Sequence, residues 1–181
     1  MRTLSIAIVF AIAPVALLAG CGNKEEQRLA ELQSHCSSLN ANYNAANVKG
    51  CTAFLAEPSL ATPVRAMTYN VRGNTYDALK KHDLAISDYK ETIRLLPDFA
   101  PAYANVGLQY CRLGDYKTAV EYYDQALKVN PQSGYAMYGR GVALSRLGQV
   151  EAAKEQISAA NRADPEIAKV YVEIKMEPAF Q

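Results

Sequence analysis

The chain has 181 residues, half of them hydrophobic, which is enough for one domain with a substantial core. Its 19 basic and 18 acidic side chains nearly cancel, so the formal net charge is +1. This balance argues against nucleic acid or anionic lipid as the main partner, because those partners need clustered Lys and Arg.

The N-terminal segment has the pattern of an export signal. Arg2 precedes an apolar run from Ile6 to Leu18, which at about 13 residues is too short for a permanent membrane-spanning helix. The run ends in Leu-Ala-Gly-Cys at 18–21, which resembles the lipobox of bacterial lipoproteins. The resemblance implies a signal peptide over 1–20, acylation of Cys21 and an acylated tether over 21–31. An ordinary secretory signal that contains a Cys is the alternative.

The same resemblance implies a location. Gly22 follows Cys21 where an Asp would favour retention at the inner membrane. In enteric-type bacteria this favours an anchor in the outer membrane, on its periplasmic face, with the inner membrane as the less favoured site. Several acyl chains on one residue hold a protein stably, whereas a single chain does not.

Residues 32–65 carry a weaker helical pattern and are predicted to form a degenerate helical hairpin. Four asparagines predict the loop inside it: Asn40, Asn42, Asn44 and Asn47. Cys36 and Cys51 fall on its two helices, and an exported protein meets an oxidising compartment. A disulfide between them would close a loop of about 15 residues and contribute about 3 kcal/mol. Two buried thiols are the alternative. Cys111 has no obvious partner and is predicted to be a small, partly buried side chain.

A regular helical hairpin is predicted from Ala100 to Pro131. The first helix ends at Gly114, because Gly supplies the left-handed residue that closes a helix, and Asp115 can cap the next helix. Pro131 ends the second helix, since Pro has no backbone N–H to donate. Small residues leave room for the two backbones to approach, and three tyrosines fill the gaps around them: Gly107, Ala119 and Ala126, with Tyr103, Tyr110 and Tyr123.

This hairpin recurs with a period of 34 residues. Five columns stay in register across three copies: Gly73, Gly107 and Gly141; Leu79, Leu113 and Leu147; Ala85, Ala119 and Ala153; Tyr89, Tyr123 and Ile157; Pro97, Pro131 and Pro165. The unit resembles the tetratricopeptide repeat, a helix–turn–helix repeat of about 34 residues. The first copy has Lys80-Lys81 in place of the Gly-Asp turn, so that turn is predicted to be less tightly formed.

The resemblance implies an all-α fold, a right-handed TPR-type solenoid of helical hairpins. Its three repeats are predicted at 66–99, 100–133 and 134–165, with the hairpin at 32–65 covering the open end of the first. A capping helix and tail are predicted over 166–181, because repeat arrays need an end that hides the last apolar face.

No catalytic or metal-binding constellation is found. His35 and His82 lack a metal-ligand spacing, and there is no nucleophile elbow or CxxC pair. Arg72 and Asp88 are interpreted as a structural ion pair. We therefore expect neither an enzyme nor a cofactor or metal site.

The resemblance also implies a concave groove lined by the first helix of each repeat. Carried onto this sequence, its groove positions are Asn70, Asn74, Asn105, Leu108, Arg112, Tyr135, Tyr138, Val142 and Arg146. Asn can bond an extended peptide backbone, Tyr supplies rigid contact area, and the two Arg could bind a carboxylate. Asn74 and Asn105 match the carboxylate clamp of chaperone-binding members, but the clamp's cations have no counterpart here.

The resulting hypothesis is a membrane-anchored lipoprotein adaptor. It would bind a cell-envelope protein or peptide in its groove, as a scaffold or assembly factor. The alternative is a structural envelope component that self-associates into a homo-oligomer through an exposed repeat face.

Overall fold

The computed structural model describes residues 24–36 and 44–179, so the predicted signal peptide and Cys21 lie outside the described residues. Within these ranges the chain forms nine α-helices: α1 Lys24–Cys36, α2 Ala45–Leu55, α3 Thr62–Ala78, α4 His82–Leu95, α5 Ala100–Arg112, α6 Tyr116–Val129, α7 Gly134–Arg146, α8 Val150–Ala163 and α9 Ile167–Glu173. They pack as consecutive hairpins, α1 with α2, α3 with α4, α5 with α6 and α7 with α8, and α9 packs against α7 and α8. The prediction of an all-α array of helical hairpins is confirmed.

The glycine column sets how closely the two helices of each repeat approach. A Cβ atom on Gly73 would lie 2.7 Å from the ring of Tyr89, and one on Gly107 would lie 3.1 Å from the ring of Tyr123. Both rings are buried to within 1% of full burial. The 34-residue period therefore records a packing requirement, since each large side chain fills the space that a glycine leaves.

All three repeats turn between their helices in the same way, which corrects one expectation. After α5 the amide of Asp115 donates to the carbonyl of Tyr110 at 2.9 Å, with Gly114 at φ +81°. After α3 the amide of Lys81 donates to the carbonyl of Tyr76 at 2.8 Å, with Lys80 at φ +61°. The first turn was expected to be looser but has the same Schellman geometry, because Lys80 adopts the left-handed conformation itself.

The N-terminal hairpin begins earlier than predicted. Helix α1 starts at Lys24, so most of the expected tether over 21–31 is helical, and Arg28 is bonded to the carboxylate of Glu57. Two of the four asparagines predicted for the loop belong to α2: Asn44 caps this helix and Asn47 lies within it, while Asn40 and Asn42 lie outside the described residues. The sequence of α1 is rich in strong helix formers, which favours the start of this helix at Lys24.

The structure pairs Cys36 with Cys51 in a disulfide that spans 15 positions of sequence and joins α1 to α2. Cys51 is fully buried. Cys111, the free thiol among the described cysteines, is buried as well. Since α1 also packs on α2, this crosslink holds the hairpin that precedes the first repeat.

The interpretation of Arg72 and Asp88 as a structural pair is confirmed. Two side-chain nitrogens of Arg72 donate to the two carboxylate oxygens of Asp88 at 2.7 and 2.8 Å. The hydrogen bond to Asp88 raises the pKa of Arg72.

Among the described helices, none is both long enough and apolar enough to span a membrane.

Candidate peptide-binding groove

The first helices of neighbouring hairpins line one face of the array. Helix α5 packs against α7 as well as against its own partner α6, while α4 and α6 fill the spaces between successive hairpins. The side chains predicted for the groove all lie on α3, α5 and α7. Here the groove means the face formed by these three helices.

In the first repeat the two predicted asparagines have different surroundings. Asn70 is buried, with 8% of its surface exposed, and its Oδ1 has no hydrogen-bond partner among the described residues. The Oδ1 of Asn74 accepts a hydrogen bond from the hydroxyl of Tyr89 at 2.9 Å. This bond fixes the amide and leaves its nitrogen as the group that can donate to a ligand.

In the second repeat the groove contains a charge pair that sequence reasoning missed. Nη1 of Arg112 lies 3.5 Å from Oδ1 of Asp77, and the two side chains are 16% and 20% exposed. Arg112 therefore already has an anionic partner, which differs from the expected pair of free cations. On the same helix Asn105 is partly exposed, whereas Leu108 is buried.

A second missed contact lies next to this pair. Nδ1 of His82 is 2.8 Å from Oε1 of Gln109, so that nitrogen must carry the proton if it donates to the amide oxygen. Gln109 is fully buried, although Thr75 and Ala143 occupy its column in the other repeats. A polar side chain this large in a column of small residues was the signal available in the sequence.

This part of the groove holds several buried polar atoms without hydrogen bonds. Among the described residues of α3 and α5 they are Asn70 Oδ1, Asp77 Oδ1, Gln109 Nε2 and Arg112 Nε. Buried donors and acceptors are normally paired, so these atoms form an incompletely bonded polar cluster beneath the surface of the groove.

The third repeat differs from the open groove that was expected, because α9 covers it. The ring of Tyr171 lies 5.3 Å from that of Tyr135 and 4.6 Å from that of Tyr138, and its hydroxyl donates to the carbonyl of Tyr135 at 2.8 Å. Val142 is fully buried. Nη2 of Arg146 donates to the backbone carbonyl of Glu177 at 3.1 Å. These four predicted groove residues thus hold the chain's own C-terminal segment.

Three titratable side chains of the groove have raised pKa values. Burial raises the pKa of Cys111 to about 12 and also raises the pKa of Tyr135, to which the carboxylate of Asp77 adds. Burial likewise raises the pKa of Tyr138, with a further contribution from Glu177. Cys111, Tyr135 and Tyr138 therefore carry no charge at physiological pH. The described residues contain no group of three or more His, Cys, Asp or Glu placed to hold a metal ion.

Stacked helical hairpins with one shared face of first helices define a helical-repeat protein. Models of the tetratricopeptide repeat match residues 67–99 and 105–166, together more than half of the chain. The chain belongs to the tetratricopeptide repeat family. No curated protein sequence matches it significantly.

Solved structures show the same fold. A crystal structure of MamA protein is 23% identical with a TM-score of 0.58, and the match covers 77% of this chain and 70% of that one. The Arabidopsis OM64 TPR domain is 21% identical with a TM-score of 0.58, covering 64% and 95%. The first TPR of Spaghetti (RPAP3), bound to the HSP90 peptide SRMEEVD, is 24% identical with a TM-score of 0.54, covering 61% and 93%.

Proposed function

We propose that this protein is a lipid-anchored adaptor that holds an envelope protein, or a peptide segment of one, in its groove. The observation that carries the proposal is the face formed by α3 and α5, which presents the partly exposed Asn74 and Asn105 above a cluster of buried polar groups. An extended segment would lie on this face, and the asparagine amides would hold its backbone.

A structural neighbour supports a peptide as the ligand. The first TPR of RPAP3 was solved with the HSP90 peptide SRMEEVD bound. This chain's own C-terminal segment repeats the order basic residue, Met, Glu at 175–177. The charge pair of Arg112 and Asp77 disfavours a partner that depends on a free terminal carboxylate, because Asp77 would repel it.

The anchor and the compartment belong to the same proposal. The four residues at 18–21 resemble a lipobox, and Gly22 favours the outer membrane. Acylation of Cys21 would hold the array close to the periplasmic face of that membrane, where envelope proteins are its accessible partners. The action proposed is binding without catalysis, since the sequence contains no nucleophile or acid–base constellation.

The proposal is tested by affinity purification of the anchored chain from detergent-solubilised cells. A defined envelope protein should co-purify with the wild type and be lost with Asn105→Trp, which places a large ring on the groove. Glu121→Trp is the matched control, because Glu121 is exposed on α6, behind the groove. A partner retained equally by both variants would contradict the groove as the binding site.

A second candidate is a self-associating structural component. Leu84 and Leu113 support it, since they are 46% and 49% exposed and lie beside the same turn region. Sedimentation of the soluble chain without residues 1–21 separates the two candidates. A monomer supports the adaptor, and a stable dimer that Leu113→Ser disperses supports the structural role.

A further inference from the structure

The C-terminal segment 174–179, called the tail here, leaves α9 through a sharp turn and lies on α7. Lys175 has φ +58°, its amide donates to the carbonyl of Val172 at 3.0 Å, and the amide of Met176 donates to that of Tyr171 at 2.9 Å. This is the Schellman turn that joins the helices of each repeat. After it the chain continues without helical structure as far as Ala179.

Two hydrogen bonds join the tail to α7. Nη2 of Arg146 donates to the carbonyl of Glu177 at 3.1 Å, and the amide of Ala179 donates to Oγ of Ser145 at 2.9 Å. The α7 groups thus bond only to the backbone of the tail. Contacts of this kind fix an extended segment in place with little dependence on its side chains.

The side chains that follow the turn differ in exposure. Met176, Pro178 and Ala179 are partly buried, whereas Glu177 is exposed. Met176 packs against the cluster that contains Ala104 and Cys111 and against the cluster that contains Tyr138 and Val142. Met176 and Pro178 flank the exposed Glu177, as alternate side chains do when an extended chain lies on a surface.

The tail covers groove positions and not some other face of the array. Tyr138, Val142 and Arg146 lie 34 residues after Ala104, Leu108 and Arg112, which line the groove on α5. The carboxylate of Glu177 is close enough to Tyr138 to raise its pKa. The chain's own C-terminal segment therefore occupies the third-repeat end of the surface that the proposed function assigns to a partner.

We infer that this third-repeat strip of α7 is a site for extended segments and that the tail is its resident, displaceable occupant. The inference rests on the proposed function and names the partner's chemistry. The partner carries an extended stretch with apolar side chains at alternate positions, one of them as long as Met, between polar residues. Such a partner competes with the tail. The partner's apparent affinity is therefore its intrinsic affinity multiplied by the fraction of molecules whose tail is undocked.

The probe that tests this is a fluorescently labelled synthetic peptide copying residues 173–179, titrated by anisotropy into the full-length chain in detergent. Met176→Asp places a charge against the two apolar clusters and should release the tail. This variant should bind the peptide at least about tenfold more tightly than the wild type does. Val172→Asp is the matched control, since Val172 is 54% exposed on α9, and it should bind like the wild type.

A further variant identifies the site and guards against unfolding. Adding Arg146→Ala to Met176→Asp removes the donor to the tail backbone and should weaken peptide binding at least about fivefold. Circular dichroism and the urea midpoint establish that each variant is folded, and Met176→Ser replaces Met176→Asp if the latter does not fold. Equal affinity in all folded variants, or no binding by any of them, overturns the inference.

This outcome is distinguishable from failure of the proposed function. The peptide titration needs no cellular partner, so it can succeed while Asn105→Trp leaves every co-purified protein in place. In that case the strip binds extended segments but the adaptor role is wrong. If the partner is lost with Asn105→Trp while the peptide binds all forms alike, the adaptor role stands and the tail is not a competitor.

Discussion

Arg112 on α5 and Asp77 on α3 join the first two repeats through a contact of 3.5 Å within the groove. Each side chain is about four-fifths buried, and Nε of Arg112 and Oδ1 of Asp77 have no hydrogen-bond partner among the described residues. The pair is thus poorly solvated and incompletely bonded. The stability of the fold therefore depends on both charges of the pair being present.

Removing one charge of this pair should destabilise the fold. Arg112→Met leaves the Asp77 carboxylate without its cation and should lower the free energy of unfolding by about 2 kcal/mol, since the pair is not fully buried. The double variant Asp77→Asn, Arg112→Met should recover most of that loss. Urea denaturation measures both changes.

The control for this prediction is an exposed pair of the same chemistry. Arg94 and Glu91 lie 2.9 Å apart on α4, with Arg94 64% exposed, so Arg94→Met should change stability by less than about 0.5 kcal/mol. Equal losses for Arg112→Met and Arg94→Met would show that the Arg112 contact has no special role.

The turn at Lys80 predicts a substitution that stabilises the protein. Lys80 has φ +61°, a left-handed conformation that costs a residue with a side chain about 1–2 kcal/mol and that glycine adopts freely. Lys80→Gly should therefore raise the free energy of unfolding by about 1 kcal/mol. The matched variant Lys154→Gly, on the exposed side of α8, should lower it by about 1 kcal/mol. A loss of stability in both variants would rule out backbone strain at Lys80.

Gly139 allows α9 to dock, and replacing it should release that helix. A Cβ atom there would lie 2.3 Å from the ring of Tyr123 and 2.4 Å from the hydroxyl of Tyr171, both fully buried. Gly139→Ala should cost about 2 kcal/mol through overpacking. It should also increase amide hydrogen exchange over 167–179.

Gly134 is the matched position at the start of the same helix. A Cβ atom there would lie 3.0 Å from the side chain of Asp164, a contact that a small shift relieves. Gly134→Ala should leave exchange over 167–179 at its wild-type rate. If Gly139→Ala gives the same exchange pattern as Gly134→Ala, Tyr171 does not hold α9 in the way described.

Alkaline pH should destabilise the fold in part through Cys111. Burial raises the pKa of this thiol from 9.0 to about 12, so the folded state keeps a proton that the unfolded state loses. Stability from this residue is complete below pH 9 and is lost as the pH rises from 9 towards 12. Buried Tyr123 and Tyr171 also have raised pKa values, and they add to the loss above pH 10.

Cys111→Ala isolates the thiol contribution. Between pH 8 and pH 10 the wild type should lose about 1 kcal/mol more stability than the variant, as measured by urea midpoints at each pH. A constant difference between the two proteins across that range would contradict the assignment, because an unperturbed thiol titrates alike in both states.

The repeats were predictable because one packing rule recurs every 34 residues. Gly107 faces Tyr123 as Gly73 faces Tyr89, so the same packing constraint selects the same residue types at the same positions of both copies. The groove charge pair was not predictable, because Asp77 and Arg112 occupy different columns and meet only once the repeats stack.

The covered end of the groove was not predictable for a different reason. The tail is too short for its pattern to be recognised in the sequence, and the turn that directs it onto α7 uses Lys175 where a glycine would have marked it. Lys80 likewise takes the place of glycine in the turn of the first repeat, and for that reason the sequence predicts a less tightly formed turn. A left-handed residue that is not glycine cannot be recognised from the sequence, because glycine is the residue that usually marks such a turn.

The most direct test of the groove is photo-crosslinking in living cells from position 105, on α5, compared with position 121, on α6. A photoreactive side chain in place of Asn105 should capture one defined envelope protein, and Met176→Asp should increase the yield. The same side chain at Glu121 should capture little. Equal capture from position 121, or capture from 121 alone, would contradict binding on the face formed by α3, α5 and α7.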